Sequence, residues 1–196
     1  MSEEPCKSIN ILALGNSTVG KTCYLIRNTK NIFDINLATI GYNILKKELE
    51  LKDGKKVIIK YYDTSGQERY RSIPPNFIKR ANGIILMYDI TNKESFNSIS
   101  KWWDDILQHK EKDFPIILIG NKADLEEERE VQREEGENIA KKFNTKFFEV
   151  SNKDGTNVKE SSKELISMVL NYKSDDIISA YSKLTQQKLE KKKCKC

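Results

Sequence analysis

The chain has 196 residues, 38% hydrophobic and 32% charged, with a formal net charge of +5. That length and apolar fraction suit one globular domain with chain to spare for a tail. The small charge excess gathers near the end and, with no recognition module in view, gives little reason to expect a nucleic-acid partner. The four cysteines and single histidine form neither a disulfide framework nor zinc-ligand spacing, which points to a reducing compartment. No secretory segment opens the chain, and no apolar run approaches the ~18 residues of a membrane span.

In chain order, Ile9–Leu14 reads as a buried strand, followed at once by a glycine-rich loop, Gly15–Thr22, and by a helix starting at Lys21–Arg27. Ile44–Leu51 and Val57–Tyr62 flank an Asp53-Gly54 turn and read as a hairpin. Ile84–Tyr88 and Ile116–Ile119 are continuous apolar runs, the pattern of strands covered on both faces. Thr91 and Glu94 have capping-box spacing ahead of a helix from Ser95 to about His109. Glu130–Phe143 reads as another helix, Lys146–Val150 as a last strand, and Asn157 with Glu160 as the cap of a final helix carrying Leu165, Ile166, Val169 and Leu170. The fold class expected is α/β, a six-stranded, mostly parallel sheet with helices on both faces. In such sheets ligands bind at the carboxyl ends of the strands, where the polar motifs fall.

Gly15-Asn16-Ser17-Thr18-Val19-Gly20-Lys21-Thr22 fits the phosphate-loop pattern between strand and helix. Its glycines allow the backbone to wrap closely around phosphate, and the helix N-terminus presents positive partial charge. The expected phosphate contacts come from Asn16, Ser17, Thr18, Val19, Gly20, Lys21, Thr22 and Cys23. Lys21 reaches the β- and γ-phosphates and Thr22 ligates magnesium. Asp63-Thr64-Ser65-Gly66-Gln67-Glu68 follows a strand. Asp63 is the expected carboxylate toward the metal, Gly66 an amide toward the γ-phosphate, and Gln67 the side chain that orients the attacking water. Thr39 is the candidate second hydroxyl on the metal.

Asn121-Lys122-Ala123-Asp124 follows the strand ending at Ile119. The Asp124 carboxylate can accept hydrogens from N1 and the 2-amino group of guanine. Adenine has no 2-amino group and would leave a buried charge unpaired, so guanine is the expected base. The stem of Lys122 can lie over the base, and Ser151-Asn152-Lys153 can add contacts to it.

These motifs resemble those of the Ras superfamily of small GTPases over about residues 7–172, and within it the Rab family. The Rab likeness rests on Ile40-Gly41, Glu68–Ile73, Tyr88-Asp89-Ile90-Thr91 and the terminal Cys194-Lys195-Cys196. The resemblance implies a P-loop NTPase G domain over 7–173, between a flexible N-terminus at 1–6 and a hypervariable basic tail at 174–196. It implies a GTP/GDP-bound, magnesium-dependent switch in vesicle traffic that hydrolyses GTP slowly without an activating protein. It implies an exchange factor, effectors, a prenyl-escort protein and a GDP-dissociation inhibitor as partners. Geranylgeranyl groups on Cys194 and Cys196 would hold the protein on the cytoplasmic face of an endomembrane between passages through the cytosol. The two cysteines stand beside Lys191, Lys192, Lys193 and Lys195, and two lipids with a basic cluster suffice for stable anchoring. The alternative is a signalling or scaffold protein of Ras or Rho type with weak or absent hydrolysis. Phe33 is the expected aromatic against the base, and Ile40, Gly41, Ile44, Tyr62 and Phe77 the expected effector surface. The chain departs from the family pattern at Ser65 and Asn152, both usually alanine. Its Lys21–Thr39 stretch is one residue shorter than usual, and Pro74-Pro75 stiffens the segment that follows Gln67.

Overall fold

The computed structural model describes residues 7–33, 43–50, 56–63 and 75–172. Six strands form one sheet in the order β2-β3-β1-β4-β5-β6. They are β1 (Lys7–Leu14), β2 (Asn43–Glu50), β3 (Lys56–Asp63), β4 (Gly83–Asp89), β5 (Ile116–Asn121) and β6 (Lys146–Val150). β2 pairs antiparallel with β3, and every other pairing is parallel. The apolar runs explain the centre. Every residue of β4 and of β5 is buried, so both faces must be covered. β2 is an edge and alternates, exposing Asn43, Ile44, Lys46, Glu48 and Glu50. The turn at Asp53-Gly54 lies outside the described residues, but the pairing of Glu50 with Lys56 is that of the expected hairpin.

Two layers of helix cover the sheet. One face packs α1 (Lys21–Lys30) and a helix over 158–172, here α6, through Tyr24, Leu25, Val158, Leu165, Ile166 and Val169. The other packs α2 (Pro75–Arg80), α3 (Lys93–Asn97), α4 (Ile99–Leu107) and α5 (Arg133–Phe143). The first face also buries a polar seam. Tyr24 Oη lies 2.8 Å from Ser161 Oγ, Tyr61 Oη lies 2.9 Å from Ser162 Oγ, and Asn28 Nδ2 donates to Ser162 Oγ at 3.0 Å. Burial raises the phenol pKa of Tyr24 and Tyr61, keeping both hydroxyls neutral.

The first helix starts at Lys21 as expected, but later starts and caps differ from the sequence expectation. The helix after β4 is capped by Asn92, whose side chain accepts from the Ser95 amide at 2.9 Å. Thr91 instead donates its hydroxyl and amide to Asp89 Oδ1. The single helix expected from Ser95 to His109 is two, broken at Ser98. The helix expected from Glu130 begins at Arg133, because the amides of Glu130 and Val131 donate to the Ile90 carbonyl. Its box is Gln132 with Glu135, whose carboxylate accepts from the Gln132 amide at 3.1 Å. Asn157 has a φ of 56° and donates its side-chain amide to the Glu149 carbonyl, so it anchors the loop to β6 rather than forming a box with Glu160. Pro75 opens α2, where a missing amide costs nothing.

Candidate nucleotide-binding site

All five parallel strands end at one edge of the sheet, and each delivers a polar group there. β1 runs into Gly15, β3 ends on Asp63, β4 on Asp89, β5 on Asn121, and β6 runs into Ser151.

The loop after β1 is tightly curled. Gly15 has a φ of 138°, and a side chain there would meet the Met87 carbonyl oxygen at 2.1 Å. Thr18 also takes a left-handed φ, 64°, with its hydroxyl donating to the Ser17 carbonyl. Lys21 opens α1, is 3% exposed, and donates Nζ to the carbonyls of Gly15 at 2.8 Å and Asn16 at 2.7 Å. The fold thus holds a buried cation in the mouth of a ring of backbone groups, beside the N-terminus of α1, an arrangement suited to phosphate. Val19 is buried, and Thr22 and Cys23 follow half-buried on α1. The Asn16 side chain turns the other way. Its Oδ1 accepts from Trp102 Nε1 at 2.9 Å and its Nδ2 donates to Ser98 Oγ at 3.0 Å, which ties the loop to the start of α4.

Asp63 is 1% exposed and pairs in register with Ala13, two residues before Gly15, so its carboxylate lies beside the loop. Thr39, Gly66 and Gln67 lie outside the described residues, as do Ile40 and Gly41. Phe33 is at the surface beyond α1, 36% exposed.

At the other end of the edge, Asn121 is buried and donates Nδ2 to the Val19 carbonyl at 2.7 Å. Lys122 has a φ of 68° and pairs Nζ with Asp89 Oδ2 at 2.5 Å. Asp124 is exposed and accepts from Ser151 Oγ at 2.7 Å. The expectation of a buried carboxylate here is therefore corrected: the burial that makes a mismatched base costly must come from the base itself. Asn152 is buried and Lys153 exposed. The amide oxygens of Asn121 and Asn152 are buried with no partner among the described residues, the mark of a polar pocket that a hydrogen-bonding ligand or water completes.

The motifs did not reveal Asp89 as part of this edge. Its carboxylate holds Lys122 with one oxygen and Thr91 with the other. The signal was a charged residue closing an otherwise apolar strand at the edge where the other motifs end. Ser98 and Trp102 were also missed, since they read as ordinary helix residues.

The surface expected to meet effectors is partly in view. Ile44 pairs with Tyr62 across β2 and β3, and Tyr62 meets Phe77 edge-on at 6.2 Å between ring centroids. Tyr62 and Phe77 line a cavity of about 90 Å³ with Leu12 and Ala81.

The sequence profile of the Ras family matches residues 10–171. The chain is 44% identical over 161 residues to the Ras-related protein Rab-15 of Rattus norvegicus, covering 82% of this chain and 76% of that one. It is 41% identical over 174 residues to the Ras-related protein Rab-8B of Pongo abelii, covering 87% and 84%. It is 38% identical over 168 residues to the Ras-related protein Rab-3C of Bos taurus, covering 85% and 74%. The chain belongs to the Rab family of the Ras superfamily. As a Rab it is a GTP-binding switch with the α/β fold of a P-loop NTPase. GTP hydrolysis, GTP/GDP and magnesium as ligands, and exchange, activating and effector proteins as partners come with that membership in general terms. No helix of the described residues is long and apolar enough to cross a membrane.

Proposed function

We propose that this Rab hydrolyses GTP as a switch in vesicle-mediated membrane traffic, with guanine nucleotide lying along the carboxyl edge of the sheet. The observation that carries the reading is that edge: a buried lysine where the curled loop after β1 enters α1, a buried carboxylate ending β3, and a serine-held aspartate just beyond β5. The donor set fits the nucleotide and its metal. A carboxylate and a hydroxyl beside phosphate oxygens are typical magnesium ligands, and Asp63 and Thr22, with Thr39, would hold the ion. A magnesium ion held there would supply positive charge to offset that of the phosphates.

The chain's own residues do the rest. The backbone of Asn16–Cys23 and the Gly66 amide embrace the phosphates, and Lys21 balances their charge. Gln67 aims a water at the γ-phosphorus. The water oxygen bonds that phosphorus as its bond to the bridging oxygen breaks, and the water's proton passes to the released phosphate, leaving GDP and inorganic phosphate. Asp124 accepts from the guanine edge, Ser151 fixes Asp124, the backbone of Asn152 and Lys153 closes that side, Lys122 lies over the ring, and Phe33 packs against it. Cys194 and Cys196 carry geranylgeranyl groups, delivered by a prenyl-escort protein and shielded in the cytosol by a GDP-dissociation inhibitor. On an endomembrane, an exchange factor loads GTP, effectors read Ile40, Gly41, Ile44, Tyr62 and Phe77, and an activating protein ends the signal.

Competition against fluorescent GDP tests the reading. GDP and GTP should displace it and ATP should not; equal displacement by ATP would overturn guanine recognition. Single-turnover GTP cleavage with and without an activating protein tests the reaction, and the Gln67→Leu variant should lose most of the stimulated rate.

A further inference from the structure

We infer that Asn152 is a positioning residue for the phosphate loop, acting as a second clamp beside Asn121 and binding the two ends of the site into one unit. Relatives that carry alanine at this place have no side-chain donor to offer. Here the residue is 5% exposed and its side chain donates Nδ2 to the Gly20 carbonyl at 3.1 Å, across 132 residues of sequence. Asn121, from the end of the neighbouring strand, donates to the preceding carbonyl, Val19, at 2.7 Å. Two successive peptide units of the phosphate loop are therefore gripped from β5 and from the segment after β6.

Gly20 shows how closely. With a φ of 96°, its hypothetical Cβ would stand 2.2 Å from Asn121 Nδ2 and 3.0 Å from Asn152 Nδ2, so the two amides fill the space of a side chain. The Gly20 carbonyl also accepts the first helical bond of α1, from the Tyr24 amide at 2.9 Å. Asn152 thus fixes the peptide just before Lys21, where the loop turns into the helix. A loop already held in its curled form loses less freedom when it closes on a diphosphate, which tightens binding without any new contact to the ligand. The segment that holds Asn152 also holds Ser151, the donor to Asp124, so base and phosphate ends are braced by adjacent residues.

This inference rests on the nucleotide-binding reading, and its test separates the two. The full chain and its Asn152→Ala variant are compared by competition of GDP and of GMP against fluorescent GDP. A clamp that acts through the phosphate loop should cost GDP about fivefold, the net worth of one hydrogen bond, and GMP, which lacks the β-phosphate, less than twofold. Asn152→Ser, whose hydroxyl is too short to reach Gly20, should behave like the alanine variant and provides the comparison if that variant does not fold. An unchanged GDP affinity, or equal losses for GDP and GMP, would overturn the clamp. So would loss of folding in both variants, which would make Asn152 structural. A wild-type chain that takes up no GDP would instead overturn the function itself.

Discussion

At the scale of single residues, Asp124 carries base choice through hydrogen-bond pattern. Its two acceptor oxygens match two donors of guanine, and Ser151 holds one of them in place. Asp124→Asn replaces an acceptor by a donor. That variant should lose guanine nucleotide affinity and gain xanthine nucleotide affinity, because xanthine has an oxygen where guanine has its amino group. Competition of XDP and GDP against a fluorescent analogue reads the exchange. Arg129 has a different task. It is 9% exposed at its side chain and bonds Glu149, itself 8% exposed, at 2.7 Å, as well as Glu126 and the Val131 carbonyl. Arg133 reaches Glu149 only at 3.5 Å. Arg129→Met would leave a buried carboxylate with its weaker partner and should cost about 2–4 kcal/mol in denaturant unfolding of the GDP-bound protein. Adding Glu149→Gln should recover part of that loss, since the stranded charge is then gone.

At the scale of elements, the strands and the start of α1 were legible, and the starts of α3 and α5 were not. β4 and β5 are unbroken apolar runs, and burial on both faces leaves few other readings. Caps depend on which neighbour competes for a side chain. Thr91 has the right spacing for a cap, but Asp89, a buried carboxylate two residues back, takes its hydroxyl and its amide, and the cap falls to Asn92. Glu130 reads as helix until the Ile90 carbonyl claims its amide. Of the site, the motifs located the phosphate loop, Asp63, Asn121, Asp124 and Ser151. They missed the hold of Asp89 on Lys122 and of Trp102 on Asn16, contacts between residues distant in sequence. The start of α5 makes a pH prediction. Hydrogen bonding from Lys93, then from the Gln132 amide, holds the Glu135 carboxyl below its ordinary range. A depressed acid pKa gives stability that is present above the unfolded-state value and lost as pH falls through the folded one. Wild type should therefore unfold at higher denaturant than Glu135→Gln at pH 7, and the gap should close on acidification through the carboxylate range.

At the scale of the whole molecule, the proposed attachment divides its labour between charge and lipid. Lys191, Lys192, Lys193 and Lys195 lie within three residues of Cys194, and Lys195 adjoins Cys196. Each lysine near an anionic leaflet adds on the order of 1 kcal/mol, whereas one lipid alone binds reversibly. Protein from its own cell should carry two prenyl groups by intact mass. Cys194→Ser or Cys196→Ser should convert firm membrane residence into salt-sensitive exchange, and the double variant should be recovered in the soluble fraction. Nucleotide binding should survive in all three, since the anchor supplies no phosphate or base contact.

The exposed edge strand β2 has a bearing on how the molecule keeps its own company. An unpaired sheet edge is a template on which a second copy can add a strand and start a ribbon of chains. Along β2, Lys46, Glu48 and Glu50 stand outward, and an incoming copy would have to strip water from each in turn. The other end of the same strand, Asn43 and Ile44, carries no charge and adjoins the Tyr62 and Phe77 rings through the pairing of Ile44 with Tyr62. Among the described residues, one strand is therefore fenced with charge over most of its length and uncharged at one end, so crowding on the proposed membrane need not become polymerisation.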